Sequence, residues 1–360
     1  MKFFRKLYKE FYGKYGENFF VKDCKELWKI KEKESLLRKV YRILEKDTFV
    51  EFMMHLKFIF FSKSIFDYIN LTCQDIRELW LLLNFLVKKK VIKLKGDKVK
   101  VKKELLKFFV KEKSEREIER ILRETVGKLD KEKPLANLFR AEFKWKYDYD
   151  QLPISTSSAI FIISRILHWL PFYDNFLFIG DDDFLSILLK LVDKKIRVKV
   201  VDIDKELLLI LEKTAEEFGL EIETERVDIR KDALKENFIG FFTNPPYTEA
   251  GIRSFVNFGV KSLSKDGGLA FLTFSYEPSN RQIFLQKFFA SKNLILLEMH
   301  PGVITYPFYE LDEYKKVKER LRKLTKTKIR KVLSANFYSF TYIPWKVKRI
   351  VKKKSIYCYI

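Results

Sequence analysis

The feature that most constrains the fold is an apolar segment that ends at Gly180 and is followed by three consecutive aspartates, Asp181–Asp183. Residues 176–179 are all apolar, which predicts a buried parallel strand, and residues 184–191 carry apolar side chains at helical spacing. Strand, glycine turn and helix start is the layout of a nucleotide-binding βα unit. Ligands bind at the carboxyl ends of strands in open α/β sheets, so this strongly negative position should hold a cation.

Two further predicted strands also end in aspartates. The strand 196–201 ends in Asp202-Ile-Asp204, and Asp202 lies about 20 residues beyond Gly180, where an acidic residue accepts hydrogen bonds from ribose hydroxyls. We interpret Asp202 as the ribose ligand and Asp204 as the cap of the next helix. A strand at 221–227 ends in Asp228, which either contacts the adenine amino group or lies in a solvated loop.

A stiff turn follows the next predicted strand, 238–242. It reads Asn244-Pro245-Pro246-Tyr247, and two prolines cannot extend a central strand. They hold Asn244 and Tyr247 towards the crevice, so we interpret the turn as functional. Predicted strands at 267–274 and 294–299 continue the alternation of strands and helices, which is typical of a doubly wound sheet.

The N-terminal part has a different pattern. Residues 1–60 carry apolar and charged side chains at helical spacing, and a short helix is predicted from Ser64. A longer helix over 76–89, capped by Asp75, precedes a hairpin over 91–101. This order predicts a winged helix, which either binds DNA or serves packing and dimer contacts. We favour packing, because a catalytic domain follows.

Composition bears on the partners, the cysteine chemistry and the location to be expected of the protein. The formal net charge of +23 suggests nucleic-acid binding. Abundant Lys, Glu and Ile are also typical of proteins from hot environments, and we favour this second interpretation. Cys24, Cys73 and Cys358 form no CxxC pair, which predicts neither disulfides nor a zinc site. The N-terminus lacks the pattern of a signal peptide and no segment is apolar enough to span a bilayer, so we expect a cytoplasmic location.

Four motifs together carry a resemblance to a known family. Gln151 stands in a polar segment before a helix, and it is followed by Gly180–Ser186, Val201–Asp204 and Asn244–Thr248. Over residues 147–310 this set resembles the branched-chain polyamine synthases, or N4-bis(aminopropyl)spermidine synthases, of thermophilic archaea and bacteria. The resemblance implies transfer of aminopropyl groups from decarboxylated S-adenosylmethionine to the secondary amine of spermidine or a related polyamine. The products would be branched-chain polyamines.

The resemblance also implies an architecture. We expect an α/β, Rossmann-like catalytic domain of the class I methyltransferase type, preceded by a winged-helix-like domain. The predicted boundaries are 1–130 for the N-terminal domain, 131–146 for a connector, 147–345 for the aminopropyltransferase domain and 346–360 for a basic tail. We further expect a homodimer, a polyamine substrate, no nucleic-acid or membrane partner, and no metal.

The resemblance assigns site residues as follows. The predicted catalytic residues are Asp181, Asp182, Asp183, Asn244 and Tyr247. The predicted ligands of the aminopropyl donor are Gly180, Asp183, Asp202, Asp228, Asn244 and Pro245. The predicted polyamine ligands are Gln151, Asp181, Asp182, Tyr247, Glu249 and Glu277. Two positions depart from the family pattern: Asn244 stands where Asp is usual, and Ser275-Tyr276 precede Glu277 where His-Arg is usual.

Electrostatics support this interpretation independently. S-adenosylmethionine carries a carboxylate that three poorly solvated aspartates would repel, whereas its decarboxylated form ends in an ammonium. Crowded carboxylates also raise one another's pKa, so one of them is suited to act as a base. By position, Asp183 would meet the aminopropyl ammonium, and Asp181 or Asp182 would meet the acceptor nitrogen.

Two alternatives remain open. An adenine-N6-type amino-methyltransferase would use Asn244 and Pro245 to hold an amino group and Tyr247 to stack on a flipped base. The missing G-x-G and the three aspartates count against it. A DNA-binding regulator with a degenerate catalytic domain is the third possibility, and the retained Asp202 counts against that.

Overall fold

The computed structural model describes residues 1–27, 29–44, 46–72, 76–275, 278–306, 312–326 and 334–345. The chain divides into two compact units. The first contains Met1–Val110 and the described residues after Tyr342, and the second contains Lys111–Tyr342. This division lies N-terminal to the domain boundary predicted at residue 130. In the described ranges, no helix is both long and apolar enough to cross a membrane.

The first unit is mainly helical. Its elements are α1 (Lys2–Glu10), a π-helical turn (Phe11–Tyr15), α2 (Gly16–Glu26), α3 (Glu34–Leu44), α4 (Phe49–Phe61), α5 (Ile65–Thr72), α6 (Ile76–Lys88), β1 (Ile92–Lys95), β2 (Lys98–Val101) and α7 (Lys103–Leu106). Helix α4 is buried along nearly its whole length, and a capping box between Thr48 and Glu51 fixes its start. The predicted order of helix, helix and hairpin is present. Asp75 lies outside the described residues, and the winged-helix assignment stays a prediction.

The second unit is an α/β structure. Its helices are α8 (Glu115–Val126), α9 (Leu135–Leu138), α10 (Thr156–Trp169), α11 (Leu185–Val192), α12 (Lys205–Glu217), α13 (Glu249–Ser262), α14 (Ser279–Ser291) and α15 (Asp312–Thr325). Its strands are β3 (Asn175–Ile179), β4 (Arg197–Asp202), β5 (Glu223–Arg226), β6 (Gly240–Thr243), β7 (Gly268–Ser275), β8 (Leu294–Thr305) and β9 (Ser334–Tyr342).

The strands form one sheet in the order β5-β4-β3-β6-β7-β9-β8. The first five strands of this order are parallel, and β9 runs antiparallel to both β7 and β8. The predicted doubly wound sheet is therefore present, with one antiparallel strand added. Strand β3 is buried on both faces, as a central parallel strand requires.

Strand order reverses beside β3, because β4 and β5 lie on one side of it and β6 lies on the other. Such a switch point opens a crevice at the carboxyl ends of the two central strands. The register pairs Ile179 of β3 with Val201 of β4 and with Thr243 of β6. The residues that follow these three positions are Gly180, Asp202 and Asn244, so they meet at one edge of the sheet.

Candidate active site

The turn after β3 has a left-handed backbone at two positions. Gly180 has φ +73° and Phe184 has φ +58°. Glycine adopts such a φ without steric cost, whereas Phe184 is held there by burial in the core. This turn, Gly180–Phe184, is called the first acidic turn below.

Asp181 is bonded on both carboxylate oxygens by the helix that follows. Its Oδ1 accepts from the Leu185 amide at 2.8 Å and its Oδ2 accepts from the Ser186 amide at 3.1 Å. These amides belong to the first turn of α11, where backbone donors lack partners within the helix. The side chain is only 2% exposed, and burial raises its pKa well above the usual range. Asp181 therefore acts as a cap of α11.

Asp183 connects two other parts of the unit. Its Oδ1 accepts from the Ile154 amide at 2.8 Å, and its Oδ2 accepts from Asn244 Nδ2 at 3.3 Å. Burial raises its pKa to about 7, although both hydrogen bonds act in the opposite direction. This carboxyl group thus titrates near neutral pH.

The Asp182 carboxyl group has no comparable hydrogen-bond partner among the described residues. Burial raises the pKa of its carboxyl group well above the usual range, and the charges of Asp183, Asp202 and Asp181 add to this effect. Trp145 Nε1 donates to its backbone carbonyl at 3.3 Å, so the main chain is fixed. Among the described residues, no Lys, Arg or His forms an ion pair with any aspartate of the first acidic turn. In that part of the chain, these carboxyl groups therefore have no counter-ion.

Asp202 lies beside this turn, as the spacing predicted. Its Oδ2 is 3.7 Å from the position that a Cβ on Gly180 would occupy, and its Oδ1 accepts from the Asp204 amide at 2.8 Å. Burial raises its pKa to about 6. A carboxyl group that titrates near pH 6 therefore lies next to the glycine turn.

The turn after β4, Asp202–Asp204, is called the second acidic turn. Lys146 Nζ donates to both oxygens of Asp204 at 2.8 and 2.9 Å, and Gln151 Nε2 donates to it at 3.1 Å. Burial of Asp204 raises its pKa, but these donors outweigh burial and hold the pKa below its usual value. Asp204 also accepts from the Glu206 amide at 3.1 Å, which confirms its predicted role as the cap of α12.

Gln151, predicted as a polyamine ligand, belongs to this same network. Its Oε1 accepts from the Lys146 amide at 2.8 Å, so both ends of the side-chain amide are bonded to the protein. The side chain is 4% exposed. Gln151 is therefore bonded to Asp204 of the second acidic turn and helps to hold that side chain in place.

Asn244 is held in one orientation by three hydroxyl groups. Its Oδ1 accepts from Thr273 Oγ1 at 2.7 Å and lies 3.2 Å from the hydroxyls of both Tyr247 and Tyr306, one of which donates to it while the other donates to its fellow tyrosine. Its Nδ2 is consequently turned towards Asp183. The two tyrosine hydroxyls also bond to each other, and burial raises the pKa of both, so they remain neutral phenols. Pro245 is buried in the same turn.

Three other predicted site residues have different surroundings. Asp228 accepts two hydrogen bonds from Arg230 at 2.8 and 2.9 Å, which lower its pKa. Glu249 is exposed in the first turn of α13, 3.4 Å from Arg253. Glu277 lies outside the described residues. The structure therefore brings together six of the predicted residues: Gly180, Asp182, Asp183, Asp202, Asn244 and Tyr247.

Sequence reasoning missed Lys146, Thr273 and Tyr306. None belongs to a recognisable motif, and each reaches the site from a segment far along the chain. Side chains alternate between the two faces of the sheet along β7, which assigns Thr273 to one face. Only the strand order places that face beside Asn244.

Across the described ranges, no group of three or more His, Cys, Asp or Glu side chains is placed to hold a metal ion. The aspartates at the crevice are instead bonded by amides or lie next to one another. What the arrangement offers a ligand is negative charge and hydrogen-bond acceptors.

Comparison with known proteins gives a consistent result. Residues 135–355 match the family model of the branched-chain polyamine synthase A C-terminal domain. An uncharacterised protein of Methanocaldococcus jannaschii is 34% identical over 140 residues, which are 38% of this chain and 35% of that protein. The N(4)-bis(aminopropyl)spermidine synthase of Thermococcus kodakarensis is 41% identical over 93 residues, 25% of this chain and 26% of the relative. The chain thus spans about a third or less of the length of these curated relatives.

A solved structure shows the same fold. The branched-chain polyamine synthase of Thermus thermophilus, crystallised with N4-aminopropylspermidine and 5'-methylthioadenosine, superimposes with a TM-score of 0.51 at 17% identity. The match covers 86% of this chain and 92% of that one, which confirms the predicted Rossmann-like α/β fold. Because the family model also covers more than half of the sequence, the chain belongs to the branched-chain polyamine synthase family.

Proposed function

We propose that this protein transfers aminopropyl groups from decarboxylated S-adenosylmethionine to the secondary amine of spermidine or a related polyamine. Branched-chain polyamines and 5'-methylthioadenosine would be the products. The homodimer and the cytoplasmic location expected from the sequence stay predictions.

One observation carries the proposal: Asp182 and Asp183 sit at the switch point of the sheet with no counter-ion among the described residues. Like charges in a poorly solvated crevice repel strongly, so the carboxylate of S-adenosylmethionine is disfavoured there. An ammonium group in the same position neutralises the cluster. Decarboxylation removes the carboxylate of the donor and leaves an ammonium group at that end of the molecule. The polyamine acceptor is also cationic.

The relatives support the same chemistry. The Thermococcus protein is named for bis(aminopropyl)spermidine synthesis, and the Thermus structure is a complex with N4-aminopropylspermidine and 5'-methylthioadenosine. Methylthioadenosine is what remains of the decarboxylated donor once its aminopropyl group has left.

The geometry supports a division of roles within the first acidic turn. Asp181 holds the turn by capping α11, because both of its oxygens are bonded to backbone amides. Asp183 would then meet the aminopropyl ammonium and Asp182 the acceptor nitrogen. Asp202 would hold the ribose hydroxyls beside Gly180.

The reaction itself needs a free amine. A secondary ammonium must lose its proton before its lone pair attacks the methylene carbon, and a carboxylate of raised pKa is a suitable acceptor. The new C–N bond forms as the C–S bond breaks, and the bonding electrons return to sulfur. Because the sulfonium leaves as a neutral thioether, no acid is required, and alignment of nitrogen, carbon and sulfur contributes most of the acceleration.

The amino-methyltransferase alternative receives less support. It requires the Asn244 carbonyl oxygen to accept from an amino group of the substrate. That oxygen already accepts from Thr273 and from one of the two tyrosine hydroxyls beside it, and the amide nitrogen faces Asp183. Neither end of the Asn244 side chain is left for a base.

Product analysis tests the proposal. The purified chain is incubated with decarboxylated S-adenosylmethionine and spermidine. The amines are then separated, and their masses are determined by mass spectrometry. We expect spermidine to gain one and then two aminopropyl groups at its secondary nitrogen. Methyl transfer from S-adenosylmethionine to duplex DNA, with no aminopropylated amine formed, would replace the proposal with the methyltransferase alternative.

A further inference from the structure

The hairpin of the first unit carries four lysines on one face. The register of β1 and β2 places Lys93 directly opposite Lys100 and Lys95 directly opposite Lys98. Directly paired residues of an antiparallel ladder project on the same side, and residues two apart along a strand do so as well. All four ammonium groups therefore belong to one surface, called the lysine face below.

This face is exposed, whereas the opposite face anchors the hairpin. Each of the four lysines is exposed, and Gly96 at the tip has the left-handed φ of +61° that a tight turn needs. On the other side Ile92 is 2% exposed and Val99 is half-buried, although Leu94 near the tip is exposed. Strand β1 contacts α6 and strand β2 contacts α4. The lysine face is thus presented to solvent on a fixed support.

The charge on the lysine face is not balanced by the protein. Within the described residues, none of the four lysines forms an ion pair, whereas Lys199 in the second unit contacts three glutamates at 2.7, 2.7 and 3.0 Å. Residues 88–107 contain ten lysines against two acidic residues, Asp97 and Glu104. Like charges placed directly opposite each other in a ladder are destabilising, so a polyanion that neutralises them would bind with net gain.

We propose that the lysine face binds the phosphate backbone of double-stranded DNA, independently of the aminopropyl transfer proposed above. The major groove admits a two-stranded β-ribbon, and lysines on such a ribbon reach the phosphates. Membrane surfaces are bound by basic groups that alternate with inserted apolar side chains, which the lysine face lacks. This differs from the expectation, based on the sequence, that nucleic acid is no partner.

Fluorescence anisotropy with a labelled DNA duplex of arbitrary sequence tests the proposal on the full chain. Affinity is measured over a series of KCl concentrations for the native protein and for a variant with Lys93, Lys95, Lys98 and Lys100 each changed to Gln. Each phosphate contact contributes about 0.9 to the slope of log K against log salt, so the variant should lose up to about 3.6 of that slope. Its affinity at low salt should fall at least about tenfold.

A matched control removes the same charge elsewhere. Lys213, Lys261, Lys265 and Lys287 are exposed lysines of the second unit, and their change to Gln should leave the slope unaltered. Equal losses in both variants, or no loss in the hairpin variant, would overturn the proposal. So would binding to phosphatidylserine vesicles without binding to DNA.

Thermal unfolding separates binding from folding. The hairpin variant should unfold at the same temperature as the native protein or higher, because like-charge repulsion is relieved. A lower unfolding temperature would mean that the lysines stabilise the hairpin, which contradicts the proposal. Single changes Lys93→Gln and Lys98→Gln should each lower the slope by about 0.9.

Discussion

The two acidic turns follow neighbouring strands of one sheet, yet Asp204 of the second turn has surroundings opposite to those of Asp182 and Asp183 in the first. In the second acidic turn, Lys146 and Gln151 bond Asp204 and lower its pKa. In the first, the hydrogen bonds to Asp183 in the described part of the chain come from amides, its neighbour Asp182 lies among other carboxylates, and the pKa values of both are raised. Both turns lie at the carboxyl edge of the sheet. The difference is whether the chain supplies a cation.

This comparison separates an aspartate whose charge is met within the protein from the aspartates that are proposed to bind ligand. Where the protein provides its own ammonium group, the carboxylate is satisfied and holds the fold together. Where it does not, the folded state keeps carboxylates that a cationic ligand can stabilise. The proposed function therefore implies that cationic substrates complete the first acidic turn.

Replacing Asp183 with Asn should have the largest effect. The amide keeps an oxygen for the Ile154 amide but can neither carry the negative charge nor accept a proton. We expect kcat/KM for aminopropyl transfer to fall by about 10²–10⁴. The change Glu217→Gln removes an exposed carboxylate of α12 and serves as the control. If the Asp183 variant kept the activity of the native protein, this carboxylate would take no part in aminopropyl transfer.

Lowering the pH should weaken binding of the donor. The pKa of Asp183 is about 7 and that of Asp202 is about 6, so both lose their charge as the pH falls through this range. Affinity for decarboxylated S-adenosylmethionine should fall by up to about tenfold per pH unit below 7. Calorimetry at several pH values measures it, and Asp183→Asn should flatten the profile. A profile that the variant leaves unchanged would assign the titration to another group.

The same pKa values predict how stability depends on pH. Because the folded state binds protons to Asp183 and Asp202 more tightly than the unfolded chain does, the free energy of unfolding should fall as pH rises from about 4 to about 7. Asp204 acts with the opposite sign, since its lowered pKa adds stability that is lost only as pH falls below about 4. Urea unfolding over this range, with Asp183→Asn as the comparison, separates the two contributions.

Removing the cation of the second turn should destabilise the fold. Lys146→Met leaves Asp204 buried without its counter-ion. Because the Lys146 side chain is 35% exposed, solvent screens part of this ion pair, and we expect the free energy of unfolding to fall by about 1–3 kcal/mol. Urea unfolding measures it. The double variant Lys146→Met/Asp204→Asn should recover part of the loss. If the double variant were no more stable than the single one, Lys146 would act through packing alone.

Truncation of Asp181 should lower stability, whereas truncation of Asp182 should weaken the reaction with spermidine. Asp181→Ala removes the cap of α11 and should cost about 1–2 kcal/mol of stability. Asp182→Ala removes a carboxylate that repels its neighbours, so stability should stay the same or rise while the KM for spermidine increases. Thermal unfolding and steady-state kinetics on both variants give the comparison. Equal effects of the two changes would contradict the assigned roles.

Much of the second unit could be predicted from the sequence because its signals are local. The apolar run before Gly180, the spacing to Asp202 and the two prolines after Asn244 each identify the end of a strand. The parallel register then brings these three positions to one edge without further information. The crevice follows from topology once the strands are known.

The remaining features depend on contacts that no local pattern records. Lys146 reaches Asp204 across 58 residues, and Asp181 turns to the α11 amides because Phe184 adopts a left-handed backbone. The antiparallel β9 enters between β7 and β8, an order set by long-range pairing. Three aspartates that are equivalent in the sequence therefore acquire different surroundings only in the folded chain.

The most direct test of the central claim is a calorimetric titration of the chain with decarboxylated S-adenosylmethionine and, separately, with S-adenosylmethionine, each in the presence of spermidine. An uncompensated carboxylate cluster predicts that only the decarboxylated donor binds tightly, and that Asp182→Asn and Asp183→Asn reduce the preference. Equal or tighter binding of S-adenosylmethionine would contradict the claim that the first acidic turn is completed by a cationic ligand.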